Sequence, residues 1–184
     1  MVVLLNDNEA DFVFKVTVIG DGGVGKSSLI RRFTTDSFEK EYVMTIGAQF
    51  AEYIHEMEGL NIKLFFWDIA GQDDFHFLRT TFYQGSQAAI IVFSLEESEH
   101  GMEGFVHVDE WHNDFKKECG DMPIILLGNK ADLISEKEFE EDKVQKLVDK
   151  LGITRYFKTS AKTGNGVFQA FNFLIEELYN KHKS

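Results

Sequence analysis

The sequence predicts an α/β fold with a six-stranded, mostly parallel sheet and helices on both faces. Hydrophobic runs of strand length alternate along the chain with longer segments of helical periodicity, which is the pattern of a doubly wound sheet. The chain has 184 residues, of which 43% are hydrophobic, and this suits one compact domain with one sizeable core. One proline and fifteen glycines leave no linker or low-complexity stretch.

The predicted elements follow one another from the first strand to the last helix. Strands are expected near residues 12–19, 50–57, 62–68, 88–95, 123–128 and 156–159, and helices near 26–34, 104–118, 138–151 and 167–180. Residues 59–61 leave room only for a hairpin, so one antiparallel edge strand is expected. Apolar residues from Val167 to Leu178 recur at three- and four-residue steps, which indicates a core-facing last helix. We expect a flexible extension at 1–11, a single domain at 12–181 and a short tail at 182–184.

The first predicted strand runs directly into a glycine-rich loop. Residues 20–27 read GDGGVGKS, which fits G-x-x-x-x-G-K-[ST] at every fixed position, and residues 27–33 have helical spacing. Glycines at such a junction let successive backbone N–H groups converge on phosphate oxygens at a helix N-terminus. A glycine-rich turn with a chance lysine would require several independent coincidences. The loop therefore predicts nucleotide binding.

Two side chains of this loop have predicted chemical roles. Lys26 would place its ammonium group against the terminal phosphates. Ser27 would offer its hydroxyl to Mg²⁺, a hard cation that prefers oxygen ligands. The predicted nucleotide contacts of the loop are Asp21, Gly22, Gly23, Val24, Gly25, Lys26, Ser27 and Ser28.

A second motif indicates which base is bound. The apolar run at 124–128 is typical of a buried strand, and residues 129–132 then read NKAD, which resembles the N-K-x-D element of guanine nucleotide-binding proteins. A carboxylate only accepts hydrogen bonds, so Asp132 can receive both hydrogens that guanine presents at N1 and at its 2-amino group. Adenine lacks this donor pair. GTP or GDP is therefore the expected ligand, and a P-loop ATPase is the weaker alternative.

The same resemblance implies roles for the neighbours of Asp132. The stem of Lys130 would lie along the base, and Asn129 would brace the neighbouring loops, while Leu133 is a further expected contact. After the predicted strand 156–159, the sequence matches the S-A-K loop, which meets the base from the other side. Its residues are Ser160, Ala161 and Lys162.

A third motif reports on the terminal phosphate. Residues 68–72 read DIAGQ, which resembles the D-x-x-G-Q segment of Ras-like GTPases. The resemblance implies that Asp68 holds Mg²⁺ through water, that the Gly71 amide bonds the terminal phosphate while it is present, and that Gln72 orients the attacking water. Thr45 matches the switch threonine that gives Mg²⁺ its hydroxyl.

Together these elements resemble the small GTPases of the Ras superfamily, nearest the Rab branch. The resemblance covers residues 12–180 and implies a P-loop NTPase fold, the G domain, with Rab-like segments at 46–50, 63–67, 78–81 and 82–85. It also implies effector binding through switch loops near 38–47 and 70–84, and it places Phe38 edge-on to the guanine ring. Three positions depart from common family residues, so partner specificity does not carry over; they are Met44, Gln49 and Ile69.

The expected function is a molecular switch that binds GTP or GDP with Mg²⁺ and hydrolyses GTP slowly. The predicted catalytic residues are Gln72, Lys26 and Thr45, and the predicted metal ligands are Ser27, Thr45 and Asp68, the last through water. No arginine lies between Asp36 and Thr45, so an activating protein is expected to supply one and to add roughly three to five orders of magnitude in rate. Effectors, exchange factors and GTPase-activating proteins are the implied partners of a monomer. The alternative is a GTP-binding scaffold with negligible hydrolysis, which Gln72, Thr45 and the side-chain-free Gly22 argue against.

Charge and cysteine usage bear on partners and location. A net charge of −12 argues against binding to nucleic acid or to anionic membranes. The only thiol, Cys119, lies far from the C-terminus, and residues 1–2 lack the glycine that myristoylation needs, so no lipid anchor is expected. A cytoplasmic location is expected, with membranes reached through a partner protein. The spacing of His100, His107 and His112 is poor for a metal site.

Overall fold

The computed structural model describes residues 10–38, 45–71, 76–134 and 141–183. The strands are β1 (Phe12–Ile19), β2 (Ala48–Met57), β3 (Leu60–Ile69), β4 (Ala88–Ser94), β5 (Ile124–Asn129) and β6 (Arg155–Lys158). The helices are α1 (Lys26–Thr35), α2 (His76–Tyr83), α3 (Glu99–Val106), α4 (Val108–Cys119), α5 (Glu141–Leu151) and α6 (Val167–His182), with a short 3₁₀ turn at Ala131–Leu133.

The strands form one six-stranded sheet in the order β2-β3-β1-β4-β5-β6. Only β2 and β3 pair antiparallel, through a turn in which Glu58 and Gly59 both have positive φ, as a two-residue hairpin of the primed type requires. The other neighbours are parallel, so their carboxyl ends lie at one edge of the sheet. The predicted fold class is confirmed, and the motif segments after β1, β3, β5 and β6 come together at that edge.

Two hydrophobic clusters cover the two faces of the sheet. One contains residues of α1 and α6, where the rings of Phe33 and Phe171 stack with centroids 4.5 Å apart. The other contains residues of α4 and α5, including Phe115 and Val144. Because both faces are covered, every residue of β4 and β5 is buried, which explains their continuous apolar sequence.

The helices differ from the prediction in two places. The single helix expected at 104–118 is two helices, α3 and α4, which meet at His107. Helix α2 was not predicted, because aromatic and β-branched residues have weak helix propensity. Packing stabilises it instead: Tyr83 is fully buried, and its ring lies 5.7 Å from that of Phe115. The expected start of the helix at 138–151 falls outside the described residues. No helix in the described ranges is long and apolar enough to cross a membrane.

Candidate nucleotide-binding site

The glycine-rich loop connects β1 to α1 at the carboxyl edge of the sheet. Gly20 and Gly25 have φ values of 135° and 101°, a region that L side chains rarely adopt. A Cβ atom at Gly20 would also collide with the carbonyl of Val92, and one at Gly25 with the side chain of Asn129. Gly25 precedes α1 and offers no side-chain cap, so the first N–H groups of that helix face the loop.

Lys26 is almost entirely buried beneath this loop. Its Nζ donates hydrogen bonds to the carbonyl oxygens of Gly20, at 2.7 Å, and Asp21, at 2.8 Å. Burial lowers the pKa of Lys26 to about 8, although the negative charges of Asp68 and Asp21 oppose the shift. The ammonium group is therefore oriented by backbone carbonyls and only partly compensated by charge.

The three predicted metal ligands lie together at the end of β3. Ser27 Oγ donates to Asp68 Oδ2, and Thr45 Oγ1 is 3.1 Å from Ser27 Oγ and 3.5 Å from Asp68 Oδ2. Asp68 is buried, and its Oδ1 has no hydrogen-bond partner among the described residues. Burial raises the pKa of Asp68, and the hydrogen bond from Ser27 opposes this. Three side chains with hard oxygen ligands lie together here, and the carboxylate among them keeps its other oxygen, Oδ1, buried and without a partner in the described part of the chain, which fits a cation such as Mg²⁺.

Asn129 links three of the motif segments. Its Nδ2 donates to the Val24 carbonyl oxygen at 2.9 Å, and its Oδ1 accepts from the Ala161 amide at 3.1 Å. The side chain is buried, so both interactions are shielded from water. One amide therefore ties the phosphate loop to the loop that follows β6, and it does so in the space that Gly25 leaves open.

Asp132 is held on the base side by the loop after β6. Its Oδ1 accepts from Ser160 Oγ at 2.6 Å, and its Oδ2 lies 3.3 Å from Lys162 Nζ. Desolvation alone would raise the pKa of Asp132, but the hydrogen bonds from Ser160 and Lys162 outweigh it and lower that pKa. Asp132 therefore stays ionised, as the predicted acceptor of two guanine hydrogens must be.

The remaining predicted residues have varied positions. Gly71 lies against the phosphate loop so closely that a Cβ atom there would collide with the backbone of Gly20, Asp21 and Gly22. Phe38 is half-buried and packs on the core cluster beside α1 and α6, while Leu133 is exposed. Gln72 lies outside the described residues.

Sequence reasoning missed two sets of contacts. Glu96, just after β4, forms an ion pair with Lys130. The hydrogen bond from that lysine lowers the pKa of Glu96. His107 and Trp111 both bond the carboxylate of Asp21. Their four-residue spacing in a predicted helix could have indicated that the two side chains act together, because residues at that spacing share a face. His112 is buried elsewhere on α4, and the described residues contain no group of three or more His, Cys, Asp or Glu side chains placed to hold a metal ion.

Comparisons with known proteins cover nearly the whole chain. A sequence model of the Ras family matches residues 15–180. The Ras-related protein Rab-13 of Mesocricetus auratus is 37% identical over 172 residues, which cover 93% of this chain and 82% of the relative. The Ras-related protein Rab-9A of Homo sapiens is 38% identical over 171 residues, which cover 90% of this chain and 83% of the relative. The span matched by the family model includes every motif segment described above.

Proposed function

The chain belongs to the Ras family as a Rab-like small GTPase, and we propose that residues 12–181 act as one G domain that binds GTP or GDP with Mg²⁺ at this site and hydrolyses GTP slowly. The observation that carries the proposal is the bridge made by Asn129. It joins the loop suited to phosphates to the loop suited to guanine, at 2.9 Å and 3.1 Å. A nucleotide spanning both loops would bind to a single preformed surface.

Mg²⁺ would be held by Ser27, Thr45 and Asp68, the last through water. The buried Oδ1 of Asp68, which has no partner in the described part of the chain, supports this assignment. When bound, the ion would neutralise charge on the transferring phosphoryl group.

The protein's own groups supply orientation and positive charge. Lys26 offers an ammonium group that is already stripped of water, so its attraction for a phosphate is stronger than in solvent. The amides of the loop and of Gly71 would bond the phosphate oxygens, and Gln72 would orient the attacking water. Because no arginine lies between Asp36 and Thr45, unassisted turnover is slow in this proposal, and an activating protein accelerates it by roughly three to five orders of magnitude.

Effectors, exchange factors and activating proteins would bind the loops near 38–47 and 70–84. Apolar surface in and beside the first of these loops supports this. Ile46 is 72% exposed and Phe50 is 61% exposed, and the Phe50 ring meets the Trp67 ring edge-on at 4.4 Å. Exposed aromatic side chains held by a rigid sheet are typical anchors of protein interfaces. We also propose a cytoplasmic location with membranes reached through a partner, because a net charge of −12 disfavours anionic lipid.

Single-turnover hydrolysis of GTP by the purified chain tests the proposal. Gln72→Leu should retain GTP affinity and reduce the intrinsic rate at least about tenfold, because water positioning acts in the transition state. Gln145→Leu, on the exposed face of α5, is the matched control and should keep the parent rate. Tight GTP binding with no measurable hydrolysis by the parent protein would favour the scaffold alternative. Equal rates for Gln72→Leu and the parent would remove Gln72 from the mechanism.

A further inference from the structure

The side chain of Asp21, in the phosphate loop, is held at both carboxylate oxygens. His107 Nδ1 lies 2.7 Å from Asp21 Oδ2, and Trp111 Nε1 donates to Asp21 Oδ1 at 2.8 Å. Since the carboxylate can only accept, Nδ1 of His107 carries the proton. We call Asp21, His107 and Trp111 the Asp21 clasp. It fastens the loop to the junction where α3 ends and α4 begins.

The backbone of Asp21 is the point at which other parts of the site meet. Its carbonyl oxygen accepts the hydrogen bond from Lys26 Nζ at 2.8 Å, and Gly71 lies directly against it. Gly104 of α3 closes over the same residue, since a Cβ atom there would lie 3.8 Å from Asp21 Oδ2. Holding the side chain of Asp21 therefore holds the carbonyl that orients Lys26.

The charges around His107 favour its protonated form. Asp21 faces it from the phosphate loop, Glu103 from α3 and Glu110 from α4. The hydrogen bond to Asp21 is the main cause that raises the pKa of His107, with burial opposing it. Two cations contact the other clasp residues. Lys26 donates to the backbone carbonyl of Asp21, and the guanidinium of Arg79, on α2, lies 4.0 Å from the Trp111 ring centre. The imidazole is 42% exposed, so it exchanges protons with solvent.

We propose that His107 is a positioning residue for the phosphate loop and that its protonation makes nucleotide release pH-dependent. The inference rests on the proposed nucleotide site. An imidazolium donates a charge-assisted hydrogen bond to the Asp21 carboxylate, whereas a neutral imidazole donates a weaker one. The contribution of protonated His107 to holding the loop is complete below the unperturbed histidine pKa of about 6.5. It is lost as pH rises through the raised pKa of His107. Release should therefore be slow at about pH 6 and faster at about pH 8.

The test measures dissociation of a fluorescent GDP analogue from the full chain, in Mg²⁺ and excess unlabelled GDP, between about pH 6 and pH 8.5. We expect the rate to rise roughly three- to tenfold across this range, the gain of a charged over a neutral hydrogen bond. His107→Asn keeps a donor but cannot be protonated, so its profile should lose this rise. Titration of the nucleotide's own phosphate is common to all variants and cancels in the comparison.

Two further variants separate the clasp from general effects. Trp111→Phe keeps a ring but loses the Nε1 donor, so release should be faster at every pH while the rise remains. His55→Gln, on β2 near the hairpin end, is the matched control and should keep the parent profile. A parent-like rise in His107→Asn would overturn the proposal.

A second readout does not depend on nucleotide binding. NMR titration should give His107 a pKa above the usual value for histidine, and Asp21→Asn should lower it. An unshifted His107 in the parent protein would overturn the clasp even if release varies with pH. Failure of the parent protein to bind GDP would instead refute the proposed function, and the NMR titration would still decide whether the clasp exists.

Discussion

The two ends of the candidate site treat charge in opposite ways. At the phosphate end, burial lowers the pKa of Lys26 to about 8 and raises the pKa of Asp68, so both groups are pushed toward their neutral forms. At the base end, hydrogen bonds lower the pKa of Asp132 and of Glu96, so both carboxylates are held in their charged forms. At the phosphate end, burial opposes the charges of the side chains. At the base end, hydrogen bonds from neighbouring side chains stabilise the charges.

Under the proposed function, the difference follows from what each end recognises. Phosphates and Mg²⁺ bring full charges, and these stabilise buried opposite charges that the fold leaves partly uncompensated. Guanine is neutral and is recognised by the direction of its donors, so the acceptor must already be ionised and oriented before the base arrives. Affinity should therefore depend mainly on the phosphate end, and discrimination between bases on Asp132.

The largest effect should come from removing the buried cation of the phosphate end. Lys26→Met keeps much of the side-chain volume but leaves the phosphates without a desolvated partner, so GTP affinity should fall by about 3–5 kcal/mol. Isothermal titration with GTP and Mg²⁺ measures the loss. Lys146→Met, an exposed lysine of α5, is the control and should bind as the parent does. A loss below about tenfold for Lys26→Met would contradict the contrast between the two ends.

The next largest effect should be on which base the protein prefers, more than on whether it binds nucleotide at all. Asp132→Asn replaces an acceptor by a donor and should cost GTP about 2–4 kcal/mol, while preference shifts toward xanthine, which presents an acceptor where guanine has its amino group. Competition between GTP and XTP for the same protein measures the shift. Unchanged GTP affinity would show that another group reads the base.

A smaller effect should come from the residue that connects the two ends. Asn129→Ala leaves the Val24 carbonyl and the Ala161 amide without their buried partner, so the free energy of unfolding should fall by about 1–3 kcal/mol. Urea denaturation in the absence of nucleotide measures it. If stability stays the same while nucleotide affinity falls, Asn129 acts on the ligand directly and the two ends are independently folded.

Much of the fold and of the candidate site could be predicted from sequence, because the site consists of short motifs that each follow a strand. The loop at 20–27 and the NKAD segment each follow an apolar strand, and parallel strands place their carboxyl ends together. Positions such as Ser27 and Asp68, 41 residues apart, could therefore be expected to meet. The role of Gln72 could be inferred only from resemblance and remains a prediction.

The contacts that sequence reasoning missed are long-range and depend on side-chain packing. Asp21 and His107 are 86 residues apart, and neither lies in a motif that names the other. The break between α3 and α4 places His107 over the loop, yet the apolar periodicity continues through it and gives no local stop signal. Glu96 was more accessible, because a residue just after β4 must lie at the same sheet edge as Lys130, just after β5.

The smallest effect should come from the partly exposed ion pair at the base end. Glu96 and Lys130 have side chains 31% and 27% exposed, so water screens their attraction. Glu96→Gln should lower the free energy of unfolding by only about 0.2–1 kcal/mol at pH 7. A carboxylate with a lowered pKa stabilises the fold above its unperturbed pKa, about 4.5 for glutamate, and loses this contribution as pH falls through the lowered pKa. The two proteins should therefore differ at pH 7 and converge below about pH 4, which urea denaturation at both pH values can establish. A difference as large as that for Asn129→Ala would mean that this pair, too, is a buried structural element, and the contrast between a compensated and an uncompensated end would then rest on Asp132 alone.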